Sequence, residues 1–160
     1  MVSAWRIVKA RFVKAGFAAN AFDGEGARRS GGRWNSPGTS LVYASSTASL
    51  AMLEMLVHLG SAAVLPGYVL IECRFDPALV LPLQRAILPA NWQEYPAPAE
   101  VRAIGDRWVR QGRSVVLEVP SVILPQEHNF LLNPAHPKFS SLKILPPTPL
   151  RFDARLLRQK

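Results

Sequence analysis

Short apolar runs separated by turn-forming residues dominate the chain and predict a strand-rich fold. The run at 68–75 is rich in β-branched and aromatic residues and ends at Asp76-Pro77, as expected of a strand followed by a turn. The run at 114–121 has the same character and is ended by Pro120. Strands are predicted over residues 4–8, 41–44, 68–75, 79–83, 114–121 and 142–152, the last interrupted by Pro146, Pro147 and Pro149.

Two segments have helical patterns instead. The first begins after the N-cap candidates Ser45, Ser46 and Thr47 and is predicted to end at Gly60. The second covers about 99–111 and is closed by Gly112. Because strands outnumber helices and no linker or repeat interrupts the chain, we predict an α+β fold. It is a compact single domain over residues 1–160, with a core at about 5–150 and a basic C-terminal tail at 151–160.

The first helix carries a single carboxylate inside an apolar run. Glu54 is the only charged residue between Arg33 and Glu72, and it shares one helical face with leucines of the run 50–57. A helix that is apolar nearly all round is normally internal, and a buried Glu needs a partner. We therefore expect Glu54 to point inward, either in a structural ion pair with Arg6 or Arg33 or in a chemical role.

The composition lies within the soluble globular range. The chain has 160 residues, 49% of them hydrophobic, and a mean hydropathy of +0.09. No apolar stretch approaches the ~20 residues that span a bilayer, and the N-terminus lacks the apolar region of a secretory signal. Cys73 is the only cysteine, so no internal disulfide can form. The cytoplasm is the expected location, and no membrane association is expected.

The net charge of +8, from 19 basic and 11 acidic residues, makes nucleic acid a candidate partner. The basic residues are scattered along the chain, and neither a helix-turn-helix nor an aromatic stacking platform stands out. A positive field also suits a dinucleotide or an acidic protein. A non-catalytic nucleic-acid-binding or partner-binding module therefore remains an alternative to an enzyme.

Several common catalytic and metal sites are missing from the sequence. The spacing of Gly24, Gly26 and Gly31 does not fit the dinucleotide-binding fingerprint, and no Gly-Lys-Ser/Thr phosphate loop occurs. Three histidines and one cysteine match no zinc spacing, and no Gly-x-Ser-x-Gly elbow surrounds Ser121. We predict no metal and no resident cofactor.

A small polar set remains as candidate chemistry. Arg33 follows two glycines and could fork onto a phosphate or cap a loop carbonyl. Tyr43 could stack on a flat heterocycle or belong to the core. Ser121, at a strand end, could orient Glu54 or a ligand, or simply form a turn.

The order of five short motifs along the chain resembles the RES domain family. They are Gly-Gly-Arg-Trp-Asn at 31–35, Val-Tyr-Ala-Ser at 42–45, Ala-Met-Leu-Glu-Met-Leu at 51–56, Val-Pro-Ser at 119–121 and Asn-Phe-Leu-Leu-Asn-Pro-Ala-His-Pro at 129–137. The family is named for its Arg, Glu and Ser and contains the toxins of Xre–RES toxin–antitoxin modules. The similarity runs from Trp5 to about Leu150.

The resemblance implies an ADP-ribosyltransferase-like fold and the consumption of NAD⁺. Cleavage of the nicotinamide–ribose bond develops positive charge on the ribose, which a fixed carboxylate stabilises. Arg28 and Arg29 match no family pattern. By the match, Glu54 is the family Glu, Arg33 with Arg6 holds the pyrophosphate, Tyr43 stacks on nicotinamide, Ser121 orients Glu54, and Asn133 contributes to substrate binding.

The same resemblance implies a toxin that degrades NAD⁺ with water or inorganic phosphate as acceptor, and thereby arrests growth. The neighbouring alternative is ADP-ribosylation of a host protein. The implied partner is a cognate Xre-type antitoxin that covers the active site and supplies DNA binding, so we expect no direct DNA binding by this chain.

Overall fold

An eight-stranded mixed sheet organises the residues that this computed structural model describes, 1–13, 18–59 and 67–157. The strands are β1 (Val2–Lys9), β2 (Val42–Ser45), β3 (Tyr68–Phe75), β4 (Val80–Pro82), β5 (Val116–Pro120), β6 (His128–Leu132), β7 (Lys143–Ile144) and β8 (Thr148–Leu150). The spatial order is β4-β5-β6-β2-β1-β3-β7, with β8 also on β3. The β4–β5 pair is parallel, and the other pairs are antiparallel.

Three α-helices accompany the sheet in the described part of the chain: α1 (Glu25–Ser30), α2 (Ala48–Leu56) and α3 (Ala99–Gln111). None of the described helices is long and apolar enough to cross a membrane. Helix α1 lies within a segment for which the sequence predicts neither a strand nor a helix. Within α1 the Glu25 carboxylate accepts hydrogen bonds from Arg28 and Arg29, three and four residues later, and these bonds lower the pKa of Glu25 to about 2.

The strand-rich α+β prediction is confirmed, and the bounds of β3 and α3 match it. The predicted final strand divides into β7 and β8, separated by Pro146 and Pro147, which cannot donate to a ladder. The sequence does not predict strand β6, because its apolar run covers only 130–132. The described part of the tail forms a short 3-10 turn, Ala154–Leu157, and residues 158–160 lie outside the described residues.

The sheet buries apolar side chains on both faces. Alternate residues of β5 and β6 point to opposite sides, so Val116 and Leu132 join one cluster while Leu117 and Leu131 join the other. The first cluster extends across β1 and β3. The second lies under α3, where Val101 and Trp108 cover it.

Helix α2 is less buried than its sequence suggests. Leu50 and Ala51 are its buried residues, whereas Val57, which caps it, is 58% exposed and Glu54 is half-buried. The prediction that this apolar helix is internal is therefore wrong. One side packs on β1 and β2, and the other faces outward. The predicted end at Gly60 lies outside the described residues, and α2 ends at Leu56.

The sheet opens between β1 and β2. Every residue of β1 pairs with β3, but Trp5 and Ser45 form the only registered pair between β1 and β2 in the described residues. Arg6 reaches across this opening and donates through Nη1 to the Tyr43 carbonyl at 2.7 Å. The opening matters because α2 packs over it with Glu54 on the packed side.

Candidate active site

Polar side chains from three neighbouring strands meet on one face of the sheet. Ser45 of β2 lies opposite Asn129 of β6, so their side chains share a face. Tyr43 and Ser121 fall on that face by the two-residue period of their strands. This polar group therefore continues the apolar surface that α3 covers, and α2 lies over it.

Glu54 is held by neutral donors. Its Oε1 accepts from Ser121 Oγ at 2.8 Å and from Asn129 Nδ2 at 2.6 Å. Ser121 is completely buried, and its Oγ accepts in turn from the backbone N–H groups of Ile123 and Leu124, both at 3.1 Å. Glu54 is thus a positioned carboxylate whose partners are a serine and an amide, and neither of the arginines considered from the sequence is its partner.

Tyr43 holds the loop that carries Arg33. Its hydroxyl donates to Asn35 Oδ1 at 2.7 Å and accepts from the Trp34 N–H at 3.0 Å. Burial raises the pKa of Tyr43, so the hydroxyl stays protonated. A Cβ on Gly32 would stand 2.6 Å from this hydroxyl, which explains the small residue beside Arg33.

Tyr43→Phe should destabilise the fold and loosen this loop. The substitution leaves the buried Asn35 amide oxygen and the Trp34 N–H without their partner, which costs about 1–3 kcal/mol. Urea unfolding should report that loss. Tyr68→Phe on β3 is the matched control. Unchanged stability in Tyr43→Phe would show that the hydroxyl does not secure the loop.

Arg33, which this loop carries, is half-buried. Its Nη1 donates to the Trp92 carbonyl at 2.8 Å. One of its donors therefore caps a loop carbonyl, which is one of the two roles that the sequence allowed for Arg33. Burial lowers the pKa of Arg33, and the negative charge of Glu54 partly offsets that effect. The Arg33 guanidinium is therefore influenced by the charge of Glu54, although no direct ion pair joins the two side chains in the described part of the chain.

Arg6 uses two donors on backbone. Besides the bond to Tyr43, its Nε donates to the Ala21 carbonyl at 2.8 Å. Burial lowers the pKa of Arg6 to about 10, and the negative charge of Asp23 raises it by a smaller amount. Arg6 thus secures the opening between β1 and β2, and it also lines the cavity described next.

A cavity of about 310 Å³ lies at this opening, beside Glu54. This is the lower end of the size range of small-molecule pockets. Trp5 and His58, which the sequence analysis did not single out, both border it. Its lining consists of Trp5, Arg6, Ile7, Tyr43, Ala44, Ser45, Ala51, Glu54, Met55, His58 and Asn129.

Five of the six site residues predicted from the sequence lie around Glu54 and this cavity, namely Arg6, Arg33, Tyr43, Glu54 and Ser121. Asn133 lies at the far end of β6, where its Oδ1 accepts from the Ala135 N–H and its Nδ2 donates to the Val109 carbonyl of α3. Its role in substrate binding stays a prediction. Asn129 and Ser45 are not predicted as site residues from the sequence. The signal for Asn129 is the alternation of 129 and 131 along a strand that the sequence does not predict, and Ser45 is considered only as an N-cap candidate although it ends β2.

The described residues contain no group of three or more His, Cys, Asp or Glu side chains that could hold a metal ion. What the arrangement offers chemically is a fixed carboxylate at the side of a cavity, with an arginine nearby. Such a site can stabilise positive charge that develops on a bound ligand.

Comparison with known proteins agrees with the motif order. A protein-family model described as "RES domain" matches residues 3–153. The protein "Toxin Res" of Yersinia enterocolitica is 39% identical over 147 residues, 91% of this chain and 97% of that protein. The "Prs ADP-ribosylating toxin" of a Sphingobium species is 36% identical over 146 residues, 89% of this chain and 91% of that protein.

A solved structure has a similar fold. The crystal structure of the M. tuberculosis MbcT–MbcA toxin–antitoxin complex contains a chain that matches with a TM-score of 0.73. The match covers 92% of this chain and 83% of that chain at 21% sequence identity. At this identity the likeness concerns the fold.

Proposed function

The chain belongs to the RES domain family, and from that premise we propose that it is the toxin of a toxin–antitoxin module and cleaves the nicotinamide–ribose bond of NAD⁺. One observation supports the chemistry above all. The Glu54 carboxylate is fixed by Ser121 and Asn129 at the edge of a cavity, where it can face a developing cation.

The bond cleavage needs little besides electrostatics. Nicotinamide leaves as a neutral molecule with the electron pair of the C–N bond, and the ribose becomes oxocarbenium-like. Both hydrogen bonds to Glu54 fall on Oε1, so Oε2 is the oxygen that would face this charge. An acceptor oxygen then attacks the ribose carbon, and the acceptor loses its proton. Because the leaving group is already cationic in NAD⁺, no general acid is required.

The remaining site residues have roles that fit their chemistry. Arg33 suits the pyrophosphate because a guanidinium forks onto phosphate oxygens, and it is coupled to Glu54. The cavity of about 310 Å³ is too small for a whole dinucleotide, so we assign it the nicotinamide riboside half. Trp5, together with Tyr43, offers an aromatic surface for the flat nicotinamide ring.

The acceptor is water or inorganic phosphate in the first form of this proposal, and a protein side chain in the second. The second form is favoured by one relative, which is named as an ADP-ribosylating toxin. In both forms nicotinamide is released, so the two share the role of Glu54 and differ in what attacks the ribose.

Product analysis separates the acceptors. The purified chain should convert NAD⁺ to nicotinamide, with free ADP-ribose in phosphate-free buffer and ADP-ribose phosphate when phosphate is the true acceptor. Chromatography with mass spectrometry identifies each product. Nicotinamide release that depends on added cell protein, with ADP-ribose attached to a protein, would support the transferase form. No nicotinamide under any of these conditions contradicts NAD⁺ cleavage.

We further propose an antitoxin as the protein partner, bound over the cavity. The net charge of +8 suits an acidic segment, since complementary charge steers association. The outward side of α2, ending at the exposed Val57, lies beside the cavity and offers apolar surface. That the antitoxin is of the Xre type rests on the family resemblance.

A further inference from the structure

Asn129, one of the two residues that fix Glu54, is itself hydrogen-bonded to Ser45, which has no role in the function proposed so far. From this geometry we infer that Ser45 and Asn129 are positioning residues that keep the Glu54 carboxylate aimed into the cavity. The inference deepens the proposed function and rests on it. It depends on the contacts of three side chains, Ser45, Asn129 and Glu54.

The direction of each bond follows from which groups can donate. A carboxylate only accepts, so the Asn129 group at 2.6 Å from Glu54 Oε1 must be the NH₂. The Asn129 Oδ1 then faces Ser45, 2.8 Å away, and Ser45 Oγ must donate to it. Ser45 therefore determines which way the amide of Asn129 is turned.

The backbone holds both residues rigidly. Ser45 and Asn129 are opposite one another in the β2–β6 ladder, and Ser45 is also the residue that pairs with Trp5 of β1. Ser45 is 4% exposed, so water competes little for its hydroxyl. The pair is thus fixed by three strands at the point where the sheet opens, and it transmits that fixed geometry to the carboxylate on α2.

Ser121 and Asn129 both donate to Oε1 of Glu54, which leaves Oε2 as the oxygen that faces the substrate, in one orientation. A displacement of about 1 Å in such a group can cost ~10²-fold in rate.

The test uses Asn129→Asp, which keeps the side-chain shape and replaces the donor by a second carboxyl group. Two carboxylates this close cannot both ionise. NAD⁺ turnover at neutral pH should fall by ~10²-fold, and the acid limb of the kcat–pH profile should move to higher pH. Asn129→Ala should lower kcat with little change in KM. Ser45→Ala should give a smaller loss, and Ser45→Thr, which keeps the hydroxyl, should recover much of it.

Leu132→Ala is the control for stability. It truncates a fully buried leucine of β6 that points to the opposite face, so it should cost about 2–5 kcal/mol of unfolding free energy without moving the pH profile. If Asn129→Asp also leaves the acid limb in place, Asn129 supports the fold alone and the inference is overturned.

A second readout does not need turnover. Isotope-edited NMR of the glutamate side-chain carboxyl carbons, with Glu54→Gln to assign the signal, reports the surroundings of the Glu54 carboxylate directly. We expect the Glu54 signal of Asn129→Ala at neutral pH to differ from that of the parent chain, because Oε1 loses a donor. Identical signals contradict the inference. Signals that differ between the two chains, together with no nicotinamide release by the parent chain, would instead refute the proposed function.

Discussion

Glu54→Gln should lower NAD⁺ cleavage by ~10²–10³-fold while the fold survives. Glutamine has nearly the same shape, and its amide oxygen can still accept from Ser121 and Asn129. What is lost is the negative charge that would stabilise the ribose cation. The measurement is the rate of nicotinamide release, with thermal unfolding measured beside it.

Glu118→Gln is the matched control for that substitution. Glu118 is also a half-buried glutamate, but it lies on strand β5 and not on α2, and its carboxylate is 3.9 Å from His128. The turnover of NAD⁺ by Glu118→Gln should equal that of the parent chain. If Glu54→Gln and Glu118→Gln both turn over normally, the carboxylate of Glu54 does not carry the reaction.

Gly105→Ala should give a large loss of stability. Gly105 lies in α3 against the Trp34 backbone, and a Cβ there would stand 1.8 Å from the Trp34 carbonyl oxygen. An alanine normally favours a helix by about 1 kcal/mol over glycine, but this clash is with backbone, which cannot swing aside. We expect a net loss of about 3 kcal/mol in urea unfolding.

Activity should fall with stability in Gly105→Ala, because Trp34 is the neighbour of Arg33 and its N–H bonds to Tyr43. Gly26→Ala provides the opposite case. Gly26 lies in α1 with open space around the added Cβ, so the same change should leave stability equal or raise it by about 0.5–1 kcal/mol. A Gly105→Ala chain as stable as the parent would mean that α3 does not press on the loop.

The sequence predicted well those elements whose signals are local. Strand β3 is a run of β-branched and aromatic residues with a clear turn after it, and α3 has an apolar stripe ended by Gly112. The prediction that α2 is internal is wrong, because composition alone does not say which side of an apolar helix packs against another element. Only packing against β1 and β2 decides that one side of α2 faces outward.

The candidate site divides in the same way. Motif order identified Glu54 and Ser121, which lie within 2.8 Å of each other across 67 residues of sequence. Asn129 begins the last of those motifs but receives no role from the sequence, because it is 75 residues from Glu54 and lies on a strand whose apolar run is too short to recognise. Such a contact depends on strand register, which is a property of the whole sheet.

The most direct test of the central claim is nicotinamide release from NAD⁺ by the purified parent chain and by Glu54→Gln, after calorimetry has shown that both bind NAD⁺. We predict that the parent chain releases one nicotinamide for each NAD⁺ consumed and that the variant binds NAD⁺ but releases ~10²–10³-fold more slowly. Equal release by the two chains, or none from the parent chain, would contradict the assignment of Glu54 as the carboxylate that drives NAD⁺ cleavage.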